Sequence, residues 1–348
     1  MNNSQARRTP RRFRRTRVLI VGTGDVGERL AVMLLARGCR VVAMVRRPER
    51  AASLAGALEA GLTTVIGDLD RPRSLRRVAS LADWVVHLAP PPSDGEDDPR
   101  TRALLDALAR HLASSRWPYQ APRSRFARPA RAGSAAMPGL RRWAAMGARA
   151  PRQTARFPRR IAYVSTTGVY GDRGGDWVDE ATPVRPQSAR ARRRVAAERR
   201  LRQAALSGLA HASILRAPGI YAADRLPLER LRRQLPALAP DEDVYTNHVH
   251  ADDLARSAWF ALLRGRPARV YNVVDQSELR MGEYFDLIAD HFGLPRPPRL
   301  ERARLAELVS PMMLCFMSES RRVRAQRVAR ELRMRLRYPS VLAALDRA

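Results

Sequence analysis

The sequence contains no lysine, only two cysteines and no long apolar run. All 64 basic residues are arginine, which points to biased codon usage and lowers the weight of any single arginine. Cys39 and Cys315 cannot build a disulfide framework, and no metal-ligand pattern surrounds them, so we expect a reducing cytoplasm and no metal site. No stretch reaches the roughly 18 to 20 apolar residues of a membrane-spanning helix. The apolar stretch 18–21, behind the N-terminal arginines, is too short for a secretory signal.

Acidic residues are missing from two strongly basic segments. The 348 residues carry a net charge of +30, and residues 1–17 and 112–160 hold seven and twelve arginines without one Asp or Glu. Such composition is typical of solvated, disordered extensions. The alternative is weak nucleic-acid binding through phosphates, although no aromatic-spaced binding motif accompanies the charge. With 45% hydrophobic residues, the whole chain still has enough apolar material for a sizeable core.

Short apolar runs alternate with helical patterns along much of the chain. Strands are predicted over residues 18–21, 40–45, 62–66, 83–88, 160–165 and 212–215, and helices over 28–37, 48–60, 71–79, 101–112 and 188–206. Strands and helices that alternate at this spacing indicate βαβ units and a parallel sheet.

A glycine-rich turn follows the first predicted strand. Gly22, Gly24 and Gly27 form a Gly-x-Gly-x-x-Gly motif between that strand and a helix. The first glycine permits the tight turn, the second lets the backbone approach a pyrophosphate, and the third lets helix and strand pack closely. Asp25 and Val26 complete the helix N-terminus, whose amides attract anions. The sequence therefore predicts an α/β, Rossmann-type doubly wound parallel sheet that binds a dinucleotide.

The end of the second strand distinguishes between cofactors. An NAD site usually has Asp or Glu about 20 residues beyond the glycines, where it binds the ribose 2′-hydroxyl. Here Arg46 and Arg47 follow the strand, and the next carboxylate is Glu49. Arginine suits a 2′-phosphate, so NADP is favoured over NAD.

The pattern also divides the chain into regions. Residues 113–158 lose all periodicity and are rich in Arg, Ala, Pro, Gly and Ser, which indicates a disordered insertion. We expect a basic arm over 1–16, an NAD(P)-binding domain over 17–221 that contains the insertion, and a smaller C-terminal α/β lobe on the substrate side over 222–348. A basic helix is predicted over 320–336.

A series of motifs resembles the extended short-chain dehydrogenase/reductases, the NAD-dependent epimerase/dehydratase family. The motifs occupy residues 68–69, 87–89, 164–171, 186–188, 216–221, 249–255 and 271–275, and the resemblance covers about residues 17–112 and 159–300. Residues 318–322 and 338–340 are similar to the atypical, YeeZ-like branch. The resemblance implies a sugar-nucleotide-like or other small carbonyl or hydroxyl substrate.

The resemblance implies roles for individual residues. Asp68 and Leu69 would flank the adenine, and Ala89 and Pro90 would lie along the cofactor. Pro218 would sit beside the nicotinamide. The hydroxyl of Thr166 would bind the reacting oxygen of the substrate, with Tyr170 as a further, weaker catalytic candidate.

The chain departs from the family at its acid–base pair. The family uses Tyr-x-x-x-Lys, and alignment places Arg190 at the tyrosine and Arg194 at the lysine. Arg194 could still contact a ribose. Arg190 cannot transfer the proton, because a guanidinium stays protonated.

Other polar residues are interpreted as structural. Tyr170 and Tyr221 are expected to pack with satisfied hydroxyls, His87 to be buried and hydrogen-bonded, and Asp253, next to His250, to lie near a helix start. The acidic residues that follow the fifth strand are expected to form a solvated loop; they are Asp176, Asp179 and Glu180.

Three functional hypotheses are left open: an NADP-binding oxidoreductase or epimerase, a non-catalytic dinucleotide-binding regulator or partner-binding module, and a nucleic-acid-associated protein. A homodimer through helix 188–206 is plausible by analogy, although that helix carries seven arginines whose charges repel across such an interface.

Overall fold

The computed structural model describes residues 16–57, 61–114, 159–309, 313–314 and 317–347. The predicted basic arm, apart from Thr16, and the predicted insertion, apart from residues 113–114, lie outside the described residues. Within the described part of the chain, no helix is both long enough and apolar enough to span a membrane.

A seven-stranded parallel sheet forms the centre of the protein. Its strands are β1 (Arg17–Val21), β2 (Arg40–Val45), β3 (Leu62–Ile66), β4 (Trp84–His87), β5 (Arg159–Thr166), β7 (Ala210–Ala217) and β12 (Val270–Asn272). They lie in the order β12-β7-β5-β4-β1-β2-β3. The strand order reverses between β1 and β4, which confirms the doubly wound prediction. In such sheets the ligand crevice lies outside the carboxyl ends of the strands at that reversal.

Helices cover both faces of the sheet because alternate residues of each strand point to opposite faces. Val18 and Ile20 of β1 belong to one core, with α1 (Asp25–Leu35) and α7 (Ala251–Arg264). Leu19 and Val21 belong to the other core, with α4 (Pro99–Ser114) and α5 (Ala189–Leu206). The remaining sheet-side helices are α2 (Pro48–Ala57) and α3 (Leu75–Val78); residues 58–60 of the predicted second helix lie outside the described part.

Shorter elements build a second lobe around its own apolar cluster, which includes Leu231, Phe285, Ile288, Leu305 and Val341. Its strands and those that join it to the sheet are β6 (Trp177–Val178), β8 (Gly219–Tyr221), β9 (Ala237–Leu238), β10 (Tyr245–Thr246), β11 (His248–His250), β13 (Leu279–Arg280), β14 (Arg299–Leu300) and β15 (Arg322–Val323). Its helices are α6 (Leu228–Arg232), α8 (Met281–His291), α9 (Arg302–Ala306), α10 (Gln326–Arg330) and α11 (Val341–Leu345).

The division expected at residue 221 does not separate the lobes cleanly. After the first part of the smaller lobe the chain returns to the sheet, where α7 packs on α1 and β12 pairs with β7. The range 222–348 therefore contributes a strand and a helix to the larger layer as well as the smaller lobe.

The predicted basic helix over 320–336 is wrong. The amides of Arg322 and Arg324 donate to the carbonyls of Asp176 and Val178, so β15 pairs with β6 in parallel. Backbone groups used in that pairing cannot form helical hydrogen bonds, and only the five residues of α10 are helical.

Candidate functional site

The glycine turn lies where the strand order reverses. Gly22 has φ +97°, and a Cβ on it would come within 2.5 Å of the backbone nitrogen of Ala89, just beyond β4. A Cβ on Gly27 would come within 2.6 Å of the Gly22 carbonyl oxygen. Both positions are therefore restricted to glycine by close backbone contact.

Gly24 meets the other requirement of a phosphate site, which is open space. A Cβ on Gly24 would meet no atom within 4 Å. Gly24 is also the N-cap of α1, and no side chain caps that helix end. Asp25 begins the helix, but its carboxylate is bound by Arg29 and Arg225, which hold its pKa below the usual value against the opposing effect of burial. The amides at this end are thus available to an anion.

A cavity of about 440 Å³ extends from this turn across the ends of β1, β2 and β3. It brings together eight of the residues predicted for the cofactor: Gly22, Gly24, Arg46, Arg47, Asp68, Leu69, Ala89 and Pro90. Gly27 and Val26 lie in the helix behind the turn. Pro218, half-buried, lies between β7 and β8, outside the lining of this cavity.

Four arginines surround the far end of the cavity, two more than the sequence analysis identified. Arg46 and Arg47 are exposed, and within the described residues no carboxylate lies at ion-pair distance from either. Arg50 is instead bound to Glu28, and Arg100 holds the carboxylate of Asp70 with two hydrogen bonds. Arg46 and Arg47 are therefore the pair whose charge is open to a ligand.

Thr166 ends β5 at the same edge of the sheet. Its Oγ1 accepts the Gly168 amide at 3.2 Å, which starts the turn Thr167–Tyr170. The oxygen is thereby oriented while the hydroxyl hydrogen stays available to donate to another oxygen.

The two arginines at the positions of the family pair have different environments. Arg190 is exposed in the first turn of α5. Arg194 is 8% exposed and donates to the Tyr163 hydroxyl at 3.0 Å and to the Val164 carbonyl at 2.9 Å. The guanidinium of Arg194 is thus bound to β5 rather than to the 440 Å³ cavity.

Tyr170, the second catalytic candidate, is turned away from solvent. Its side chain is fully buried, its hydroxyl donates to Asn272 at 2.8 Å, and the Arg216 guanidinium lies 4.7 Å from its ring. Burial raises its pKa. A hydroxyl held in this way cannot reach a substrate, so the packing interpretation applies and the catalytic one is withdrawn.

A buried ion pair behind Thr166 was not identified from the sequence. Glu198 of α5 is fully buried and binds Arg216 through both carboxylate oxygens, at 3.0 and 2.7 Å. The Ser165 hydroxyl donates to the same carboxylate at 2.7 Å. The sequence did not indicate this pair, because Glu198 is one of many charged residues on α5 and Arg216 lies 18 residues further along the chain, on β7.

The His250 and Asp253 pair is structural, as expected. Asp253 is fully buried at the start of α7 and accepts the amides of Arg337 and Tyr338. The Nδ1 of His250 accepts the Asp252 amide, and its ring stacks on Tyr338 at 3.7 Å. Both side chains hold the C-terminal segment against α7.

Two further expectations have different outcomes. His87 is buried as expected; its Nε2 lies 3.0 Å from the Thr101 hydroxyl, and burial lowers its pKa to about 4. Glu180, expected in a solvated loop, is 4% exposed and accepts the amide of Asn272. Burial raises its pKa. The solvated description therefore holds for Asp176 and Asp179 only.

A glycine turn restricted by close contact, an uncapped helix end and a cavity at the strand-order reversal define a dinucleotide-binding Rossmann protein. The sequence matches a family model described as NAD(P)H-binding over residues 22–114, and that of the NAD dependent epimerase/dehydratase family over residues 144–274. The chain is thus similar to the NAD-dependent epimerase/dehydratase family over residues 144–274. In the alignment that the sequence resemblance implies, Arg190 and Arg194 stand where that family has its Tyr/Lys pair.

Solved structures resemble the chain over nearly its whole length. A functionally unknown conserved protein from Silicibacter pomeroyi is 26% identical, with 95% of this chain and 97% of that chain covered and a TM-score of 0.68. A UDP-glucose 4-epimerase from Thermotoga maritima, solved with UDP-glucose, is 14% identical over 95% and 96% of the two chains (TM-score 0.68). A dTDP-glucose 4,6-dehydratase from Streptomyces venezuelae, solved with NAD, is 19% identical over 95% of each chain (TM-score 0.68). No curated protein sequence matches the chain.

Proposed function

We propose that the protein is an NADP-dependent oxidoreductase or epimerase that acts on a hydroxyl or carbonyl carbon of a small, sugar-nucleotide-like substrate. The observation that carries the NADP preference is the pair Arg46 and Arg47 at the end of β2, where an NAD site has a carboxylate. The substrate class is supported by the epimerase and dehydratase to which the fold is similar, which were solved with UDP-glucose and with NAD and a second ligand.

Each part of the cavity has a role in this proposal. The turn at Gly22 and Gly24 and the amides of α1 bind the pyrophosphate. Arg46 and Arg47 bind the 2′-phosphate through charge-assisted hydrogen bonds, and Asp68 and Leu69 flank the adenine. The bound cofactor supplies hydride transfer at the nicotinamide, and Thr166 donates a hydrogen bond to the substrate oxygen.

The test is a fluorescence titration with NADPH and with NADH, at moderate and at high salt. We expect NADPH to bind more tightly than NADH. Replacing both arginines in Arg46→Gln/Arg47→Gln should weaken NADPH binding by about 10- to 100-fold, because two charged hydrogen-bond donors are lost. NADH binding should change little.

A matched control is available on α3, where Arg76 and Arg77 form another exposed tandem pair outside the cavity. The variant Arg76→Gln/Arg77→Gln removes the same charge and should leave NADPH affinity unchanged. Equal binding of NADPH and NADH by the wild type would contradict the NADP assignment. Equal losses of NADPH affinity in the two double variants would also contradict it, because they would mean that only net charge attracts the ligand.

A further inference from the structure

Two reactive groups converge on one side of Gly168, in the turn after β5. A Cβ added to Gly168 would lie 3.5 Å from Thr166 Oγ1 and 4.0 Å from Glu319 Oε2. These are ordinary contact distances, and Gly168 does not have a positive φ. A ligand atom packed against the bare Cα of Gly168 on this side would therefore lie between a hydroxyl and a carboxylate.

Glu319 is held over this turn by a fixed segment of the chain. Its side chain and that of Arg321 are each 11% exposed, and Arg321 Nη1 lies 2.8 Å from Glu319 Oε2. The same Nη1 donates to the Gly171 carbonyl at 2.9 Å. Between them, the Ser320 amide donates to the Asp172 carboxylate at 2.8 Å. The carboxylate is thus positioned by bonds to the turn that carries Thr166.

The proposed reaction lacks a proton acceptor at the usual position. Arg190 and Arg194 carry guanidinium groups, which donate hydrogen bonds and do not accept protons, and the Tyr170 hydroxyl is buried and bonded to Asn272. A carboxylate can accept a proton and return it. Glu319 is a carboxylate that faces the same side of Gly168 as the Thr166 hydroxyl.

We propose that Glu319 is the catalytic acid–base of this site and that the reacting oxygen of the substrate sits beside Gly168. This assignment rests on the proposed function. When a secondary alcohol is oxidised, its O–H bond breaks and the proton passes to Glu319 Oε2. The oxygen's electron pair forms the new C=O bond, and the C–H hydrogen leaves with its electron pair to the oxidised nicotinamide dinucleotide. Reduction of a ketone reverses each transfer, and Arg321 is a positioning residue.

The first test compares Glu319→Gln and Glu319→Ala with the wild type, using NADPH with 9,10-phenanthrenequinone and NADP with UDP-glucose as probe reactions. We expect kcat to fall by about 10²- to 10⁴-fold with little change in KM, and the limb of the pH profile that reports the base to disappear. Added formate should restore part of the activity of Glu319→Ala, since it can occupy the vacated space. NADPH affinity and melting temperature should not change.

A second variant needs no change at Glu319. Gly168→Ala places a methyl group between the Cα and the proposed oxygen position, and the nearest protein atoms allow the methyl group to fit. It should abolish turnover of both probes while NADPH affinity and melting temperature stay at wild-type values. The control is Glu307→Gln, which removes an exposed carboxylate paired with Arg304 and should behave as wild type.

The outcomes separate this assignment from the proposed function. Failure of the wild type to bind NADPH defeats the proposed function itself. A wild type that binds NADPH but converts neither probe overturns the proposed activity and the assignment of Glu319 with it. Activity of Glu319→Gln near that of the wild type overturns the assignment of Glu319 alone. A loss that formate does not restore and that comes with a lower melting temperature shows a structural role.

Discussion

Substitutions at two glycines of this site should separate an effect on folding stability from an effect on cofactor binding. Gly22→Ala forces a Cβ to 2.5 Å from the Ala89 nitrogen at φ +97°. We expect it to lower the free energy of unfolding by about 2–4 kcal/mol and to reduce NADPH binding. Gly24→Ala meets no atom within 4 Å, so it should reduce binding through contact with the pyrophosphate while the fold keeps its stability. Urea unfolding and the NADPH titration measure the two effects, and equal stability losses would contradict this account.

At the same scale, the sequence predicted residues whose role depends on neighbours close along the chain. Gly22, Gly24, Arg46 and Arg47 could be identified because each follows a strand directly. Glu319 could not, because it approaches Gly168 only through the tertiary fold. Its own stretch, residues 318–322, is similar to the YeeZ-like branch, but that resemblance implied no role for any single residue in it.

Whole strands were predictable where the sequence has a short apolar run between helical patterns. Strands β1 to β5 and β7 match their predicted ranges within two residues at each end, because strands buried on both faces give continuous apolar runs; β3, at the edge of the sheet, is only partly buried. The 320–336 segment shows the opposite case. Its arginine-rich composition suggests a helix, but pairing of β15 with β6 determines its conformation, and a two-residue strand leaves no period in the sequence.

The contact between α5 and β7 should depend strongly on the pair of Glu198 and Arg216. Glu198→Gln leaves the Arg216 guanidinium buried without its counter-charge, so we expect a loss of about 3–5 kcal/mol in the free energy of unfolding. Glu307→Gln breaks an exposed pair with Arg304, which is 71% exposed, and should change stability little. Urea denaturation of both variants at pH 7 tests this difference. Similar effects would mean that the buried pair contributes no more than a surface one.

For the molecule as a whole, the sequence predicted a doubly wound parallel sheet, whose strand order reverses, but it did not predict the structure of the smaller lobe. The lobe is joined to the sheet by residues such as Asp275, beyond β12, whose backbone amide donates to the His248 carbonyl. The Asp275 carboxylate accepts the Ser277 amide, and the Ser277 hydroxyl accepts the Val341 amide from the last helix. Such links between distant segments carry no periodicity and appear only in the folded chain.

Asp275 also gives the whole protein a pH dependence. Its side chain is 8% exposed, and burial raises its pKa to about 7, against the opposing hydrogen bond from the Ser277 amide. In the unfolded chain the carboxyl ionises near its ordinary value of 3.8. Between about pH 4 and 7 the unfolded state therefore binds fewer protons than the folded state, and stability falls as pH rises. The loss is complete above about pH 7.

The variant Asp275→Asn should remove this loss, because its amide is uncharged and its carbonyl can still accept the Ser277 amide. Relative to wild type, its free energy of unfolding should rise by about 2–4 kcal/mol between pH 4 and pH 7.5 and then stay constant. His248, whose pKa burial lowers to about 3, weakens both proteins in acid, so its effect cancels in the difference. Urea unfolding at several pH values measures that difference, and a difference that does not change with pH would show that Asp275 is ionised throughout.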